Sequence, residues 1–146
     1  MIRRFSQIAL ILSLPAILPA FDLESIRKEP NLERRSELAL ANADAATDRA
    51  RDGYQKGDDA LFKAGLEEVA ASLQLTKQSL DESGRNARKR PKYFKKAEIG
   101  IRRLSRRLDN FKIEVSVDYR SQVEPVAAQA HRLQEEILLA IMGKKD

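Results

Sequence analysis

Few side chains in this sequence could support catalysis. The chain has 146 residues and no cysteine, and its one histidine is His131. A serine–histidine nucleophile would therefore have to use that histidine, and a zinc site built from cysteine and histidine is excluded by the same counts. Because His131 follows Ala130 at the edge of an apolar helical stripe, we predict a packed or surface histidine.

Adjacent acids are the second arrangement with catalytic potential. They occur as Asp58–Asp59, Glu67–Glu68 and Glu135–Glu136, and paired carboxylates can act as acid and base when they flank one bond. Successive helical residues point about 100° apart, so such neighbours cannot flank a bond together. We interpret them as helix caps and solvated faces. The sequence also lacks a glycine-rich phosphate loop, so we predict no enzyme, no cofactor and no metal site.

The third arrangement is a concentration of positive charge between Arg85 and Arg107. Eleven of these 23 residues are lysine or arginine, and Glu98 is the single acid. Guanidinium and ammonium groups are the side chains that proteins use to bind phosphates and carboxylates. The candidate anion-binding residues are Arg88, Lys89, Arg90, Lys92, Lys95, Lys96, Arg102, Arg103, Arg106 and Arg107.

Helices must position these side chains, because apolar residues recur at spacings of three and four in four segments. The predicted helices cover about residues 31–56, 58–83, 91–115 and 121–142. Their apolar stripes are Leu32, Ser36, Ala39, Ala43, Ala46 and Ala50, then Phe62, Leu66, Val69, Leu73, Thr76 and Leu80, then Phe94, Ala97, Ile101, Leu104, Leu108, Phe111 and Val115, then Val123, Val126, Ala130, Leu133, Ile137 and Ile141.

Capping residues mark several helix ends. Asp58 or Asp59 is the predicted N-cap of the second helix. Ser121 and Glu124 have the spacing of a capping box, which predicts that the fourth helix opens there. Gly143 follows the last apolar residue and is expected to end that helix. Residues 144–146 would form a short basic tail.

These segments predict an all-α fold, an up-down bundle of four long amphipathic helices over residues 31–143. Each helix would be about 36 Å long, and short connections favour antiparallel neighbours. An alternative is a pair of long hairpins that complete their core by forming a homodimer.

The third helix keeps its positive charges away from its apolar stripe. With Phe94 at heptad position a, the cations occupy positions b, c, f and g, so they leave the core undisturbed. From Lys92 to Arg107 they would form a basic stripe about 22 Å long.

Residues 1–20 have the layout of a secretory signal peptide. Arg3 and Arg4 precede an apolar run from Ile8 to Leu18, and the small residue Ala20 follows. We expect cleavage after Ala20, with residues 21–30 forming a short linker. The run is shorter than the roughly 20 apolar residues of a spanning helix. An uncleaved anchor or a buried core helix is the alternative.

Two resemblances accompany these patterns. The turn from Tyr54 to Asp58, with Ala50 before it, resembles the turn of a tetratricopeptide repeat over residues 39–73, although Ala46 and Phe62 depart from that family's pattern. No second copy follows 34 residues later, and such repeats normally stack in threes. The layout of the whole chain is similar to that of exported helical proteins of bacteria, a resemblance that implies no activity.

Three hypotheses account for the basic stripe. It is a solvated face partly neutralised by the acidic first or fourth predicted helix, or it binds an anionic partner outside the cytoplasm, namely lipid head groups, cell-wall polymers or an acidic protein. The third hypothesis is nucleic-acid binding, which charge density favours. Predicted export to the periplasm or medium, and the scarcity of aromatic residues near the stripe, argue against it.

Overall fold

The computed structural model describes residues 23–83, 89 and 91–143. These residues form five helices and no strand: α1 (Leu23–Arg27), α2 (Leu32–Lys56), α3 (Asp59–Glu82), α4 (Pro91–Glu114) and α5 (Val117–Met142). The predicted all-α bundle is confirmed. The predicted signal peptide and the tail at 144–146 lie outside the described residues.

The first hairpin joins α2 to α3 through a two-residue turn. Gly57 adopts the left-handed conformation with φ 68°, and its N–H closes the last turn of α2 on the carbonyls of Gly53 and Tyr54. Such a φ favours glycine because a Cβ would be strained there. Of the two predicted candidates, Asp58 is the N-cap of α3, and its side chain accepts a hydrogen bond from the N–H of Leu61 at 3.0 Å.

The second hairpin joins α4 to α5 through Val115 and Ser116, and here the predicted helix start was wrong. Helix α5 begins at Val117 with Ser116 as N-cap, so Ser121 lies inside the helix and the capping box does not form. The reason is tertiary. Tyr119 packs edge-on against the rings of Tyr54 and Phe62, with centroid distances of 5.1 Å to each. This packing holds the first turn in a helical conformation ahead of the proline at position 125.

The two hairpins stack side by side, with α2 next to α4 and α3 next to α5. Partners within a hairpin are antiparallel, as the short turns require. Partners between hairpins are parallel: Lys96 contacts Glu37 and Arg107 contacts Asp44, so residue numbers rise together along α2 and α4. The hairpins complete a shared core within one chain.

The four predicted stripes supply most of that core. Every stripe residue is buried except Leu32 and Ile141, which are half-buried. The predicted linker at 21–30 needs correction, because it contains α1. Ile26 of α1 is 4% exposed and packs against Ala39 and Leu75, one from each helix of the first hairpin. No helix in the part of the chain that the structure describes is long and apolar enough to cross a membrane.

Candidate anion-binding ridge

Helix α4 presents the predicted basic stripe on a rigid support. Pro91 occupies its first position, where a fixed φ suits a helix and the missing N–H costs nothing. Its apolar stripe from Phe94 to Phe111 is buried against the other helices. The cations therefore project from the remaining circumference of the helix, as the heptad assignment predicts.

Three of the predicted cations are held in ion pairs. The ammonium of Lys96 lies 2.6 Å from a carboxylate oxygen of Glu37. Arg107 lies 2.7 Å from Asp44 and also contacts Asp48. On α4 itself, Arg102 stands 3.7 Å from Glu98.

The surroundings of Arg107 favour its charged form. Burial opposes the charge, but the hydrogen bond to Asp44 and the charges of both aspartates outweigh that cost and raise the pKa of Arg107 above its ordinary value. Arg107 and Lys96 thus tie the second hairpin to the first and are occupied with that role.

Four other cations are free. Lys92, Lys95, Arg103 and Arg106 are exposed, and none has a hydrogen-bond or ion-pair partner among the described residues. We call these four residues the basic ridge. Lys89 is also exposed before the helix starts, whereas the predicted site residues Arg88 and Arg90 lie outside the described part of the chain.

A groove runs beside the ridge between the first halves of α2 and α4. It comprises two adjoining cavities of about 490 and 230 Å³. Cations of α4 line one wall, and Glu33, Glu37 and Asp44 of α2 line the other. Two of these acids, Glu37 and Asp44, are already paired with Lys96 and Arg107. Lys92 and Arg103 of the ridge line the groove, whereas Lys95 and Arg106 are exposed on the solvent side of α4.

The aromatic residue nearest the ridge is used in the core. Tyr93 is 7% exposed, and its hydroxyl donates to Ser36 Oγ at 2.9 Å between α4 and α2. Its ring packs edge-on against Phe94 at a centroid distance of 5.4 Å. Tyr93 therefore offers no free face on which a nucleic-acid base could stack.

The histidine and the Asp58–Asp59 pair, considered above as possible catalytic groups, make contacts that support the fold. His131 is a surface residue whose Nε2 lies 2.9 Å from Asp109 Oδ2. Asp58 caps α3, and Asp59 accepts a hydrogen bond from the hydroxyl of Tyr119. Within residues 23–83, 89 and 91–143, no group of three histidine or acidic side chains is placed to hold a metal ion.

The hypothesis that the acidic first or fourth predicted helix partly neutralises the stripe is confirmed at Lys96 and Arg107, which pair with α2, the first predicted helix. The hypothesis did not identify the residues. A signal was present, because Glu37, Asp44 and Asp48 are spaced by seven and four residues and so share one helix face. Recognising their partners required knowing that α4 lies beside α2.

Comparison of the chain with protein-family models, curated proteins and solved structures gave no match.

Proposed function

We propose that the protein is a non-enzymatic, exported interaction module that binds an anionic component of the cell envelope through the basic ridge. The observation that carries this proposal is the set of four exposed, unpartnered cations on one face of α4. Export is supported by the sequence of residues 1–20, which has the charge, apolar run and small residue of a signal peptide.

Charge is the proposed source of affinity. Near an anionic surface each lysine or arginine contributes about 1 kcal/mol. Cations already neutralised by protein carboxylates contribute less, so the unpaired residues of the ridge dominate. The attraction is screened within about 10 Å at 0.1 M salt, and binding should therefore weaken steeply as salt increases.

Nucleic acid is a weaker candidate for the same surface. Proteins that bind single strands combine a basic groove with aromatic side chains on which bases stack. Here the groove beside the ridge has an acidic wall, and Tyr93 is buried in the core.

The test uses sedimentation with vesicles of phosphatidylcholine containing phosphatidylglycerol. The variant Lys92→Glu/Lys95→Glu/Arg106→Glu reverses three ridge charges. The control Lys28→Glu/Lys63→Glu/Arg132→Glu changes net charge equally, using exposed cations without partners in the described structure. The ridge variant should lose about 3 kcal/mol or more of binding free energy, because each removed cation contributes about 1 kcal/mol. This loss corresponds to at least about a hundredfold weaker binding to the vesicles.

The control should stay within a few fold of the wild type, and circular dichroism should show unchanged helicity in both variants. If both variants lost the same amount of vesicle affinity, the loss would depend only on net charge, and this would contradict a specific role for the ridge. Binding that does not change between low and high salt would contradict a mechanism based on charge.

Export is tested separately by the intact mass of the protein recovered from the cytoplasmic and extracytoplasmic fractions of its host. We expect a species outside the cytoplasm that lacks residues 1–20. A full-length cytoplasmic species would reject export and make DNA and RNA the first ligands to test.

A further inference from the structure

Exposed aliphatic side chains lie on the same side of α4 as the basic ridge. Ile99 is 39% exposed and Ile113 is 73% exposed. Both stand in the same heptad position as Lys92 and Arg106, so cations and isoleucines alternate along one line of the helix at intervals of seven residues. That line is about 32 Å long at 1.5 Å per residue.

The tip of the second hairpin extends this apolar character. Val117, the first residue of α5, is 74% exposed and follows Ile113 across the two-residue turn. The tip of the first hairpin differs, because Gln55, Lys56 and Gly57 occupy it. Single exposed aliphatic residues are common on soluble proteins, but here they coincide with a line of unpartnered cations.

We propose, building on the proposed function, that the partner of the ridge is the surface of an anionic lipid bilayer. Helix α4 lies along the membrane plane with its cations at the lipid phosphates. Ile113 and Val117 enter the boundary between head groups and acyl chains, and Ile99 contacts it less deeply.

Several features favour a bilayer over a soluble polyanion or an acidic protein. The line from Lys92 to Ile113 follows the exposed side of one helix, which suits a broad, flat partner. Aliphatic side chains gain nothing from a hydrated polyanion, whereas they gain free energy when they leave water at the acyl boundary. The buried stripe of α4 stays in the core, so docking requires no unfolding.

One nearby charge opposes docking. Asp118 is exposed beside Val117 and is not neutralised by a described cation. Leu139 and Met142 are also exposed, at 50% and 69%, but they lie on α5 near its carboxyl end. Met142 follows Val117 by 25 residues and points within about 20° of it at about 100° per residue, so these side chains continue the exposed apolar face of α5 toward its other end.

Tryptophan fluorescence gives a direct test, because the chain contains no tryptophan. In Ile113→Trp, vesicles containing phosphatidylglycerol should shift the emission to the blue, and brominated lipids should quench it. Ala64→Trp, at an exposed position of α3, which packs against α2 and α5, should show neither change. Unchanged emission of Ile113→Trp on vesicles that bind the protein would overturn the proposal.

Affinities separate this inference from the proposed function. Ile113→Ser/Val117→Ser should bind the same vesicles roughly tenfold more weakly, while its binding to soluble polyphosphate is unchanged. Ala60→Ser/Ala64→Ser, at exposed positions of α3, should match the wild type with both probes. If the ridge variant loses binding but the serine pair at the tip does not, charge-based binding stands and the bilayer inference fails. If the ridge variant also retains binding, both fail.

Discussion

The two hairpins have nearly equal dimensions but fill their cores in opposite ways. In the first, α2 carries a seam of alanines, and α3 approaches so closely that a Cβ on Gly65 would lie 2.6 Å from the backbone nitrogen of Ala50. In the second, α4 carries a bulky seam that includes Ile101 and Leu104. Close backbone approach provides the packing in one hairpin, and side-chain volume provides it in the other.

The hairpins differ as strongly in their surface charge. The acids on the outer side of α2 meet Lys96 and Arg107 of α4 and are neutralised there. Helix α4 has more cations than α2 has facing acids, so the surplus faces solvent as the basic ridge. The neighbouring helix therefore divides the cations of α4 into those that are held in ion pairs and those that remain available to a partner.

The largest effect is expected from reducing the bulky seam. Leu104→Ala should destabilise the protein by about 2–5 kcal/mol, because a side chain that is 1% exposed leaves a cavity. Denaturant unfolding measures this loss. Ile113→Ala, at a 73% exposed position on the same helix, should change stability by less than about 0.5 kcal/mol. Similar losses at both sites would contradict the proposed division of α4 into buried and exposed faces.

Replacing a glycine by alanine should change stability in opposite directions in the two hairpins. Gly65→Ala should cost about 1–3 kcal/mol, because the new Cβ meets the backbone of Ala50. In Gly100→Ala the Cβ would lie 3.2 Å from Cδ1 of Leu40, the movable end of a side chain. A stabilisation of about 0.5–1 kcal/mol is expected there, because alanine favours a helix interior over glycine. Thermal unfolding of both variants would show whether the signs differ, and equal signs would contradict the contrast in packing.

A smaller effect is expected from the ion pairs between the hairpins. Arg107→Gln should cost about 1 kcal/mol, since its two aspartate partners are partly exposed. Arg103→Gln removes a free cation of the same helix and should change stability by less than about 0.5 kcal/mol. Urea unfolding at low salt compares the two. The order should reverse for vesicle binding, where Arg103 is available and Arg107 is not.

The smallest expected effect is a loss of stability at alkaline pH, which arises from hydrogen bonds between α3 and α5. Hydrogen bonding to Glu136 raises the pKa of Lys77, and hydrogen bonding to Asp59 raises the pKa of Tyr119. The folded state therefore holds these protons more tightly than the unfolded chain. The stabilisation is present below their ordinary pKa values of about 10 and is lost as the pH rises through the folded values.

Melting temperature measured between about pH 9 and 11 should therefore fall less steeply in Tyr119→Phe than in the wild type. The Arg107 pairs in the α2–α4 layer should not contribute to this decline, because arginine stays protonated throughout the range. Parallel curves for Tyr119→Phe and the wild type would contradict a role for the Tyr119–Asp59 hydrogen bond.

Much of the fold followed from local patterns. The buried stripes, an N-cap at Asp58 or Asp59 and the helix end at Gly143 were predicted because helical periodicity and capping depend on residues a few positions apart. The start of α5 and the short helix α1 were missed. Each depends on contacts with distant residues: Tyr119 with the rings of Tyr54 and Phe62, and Ile26 with Ala39 and Leu75.

The candidate site also combines features that local sequence patterns predict with features that depend on tertiary contacts. The sequence by itself determined that α4 would carry its cations away from the core, because the positions of charged and apolar residues within the heptad are local facts. Only the tertiary structure decided which cations remain available. Whether a lysine or arginine is neutralised depends on the acids within a few ångströms of it. For Lys96 and Arg107 those acids belong to a helix about 60 positions earlier in the chain.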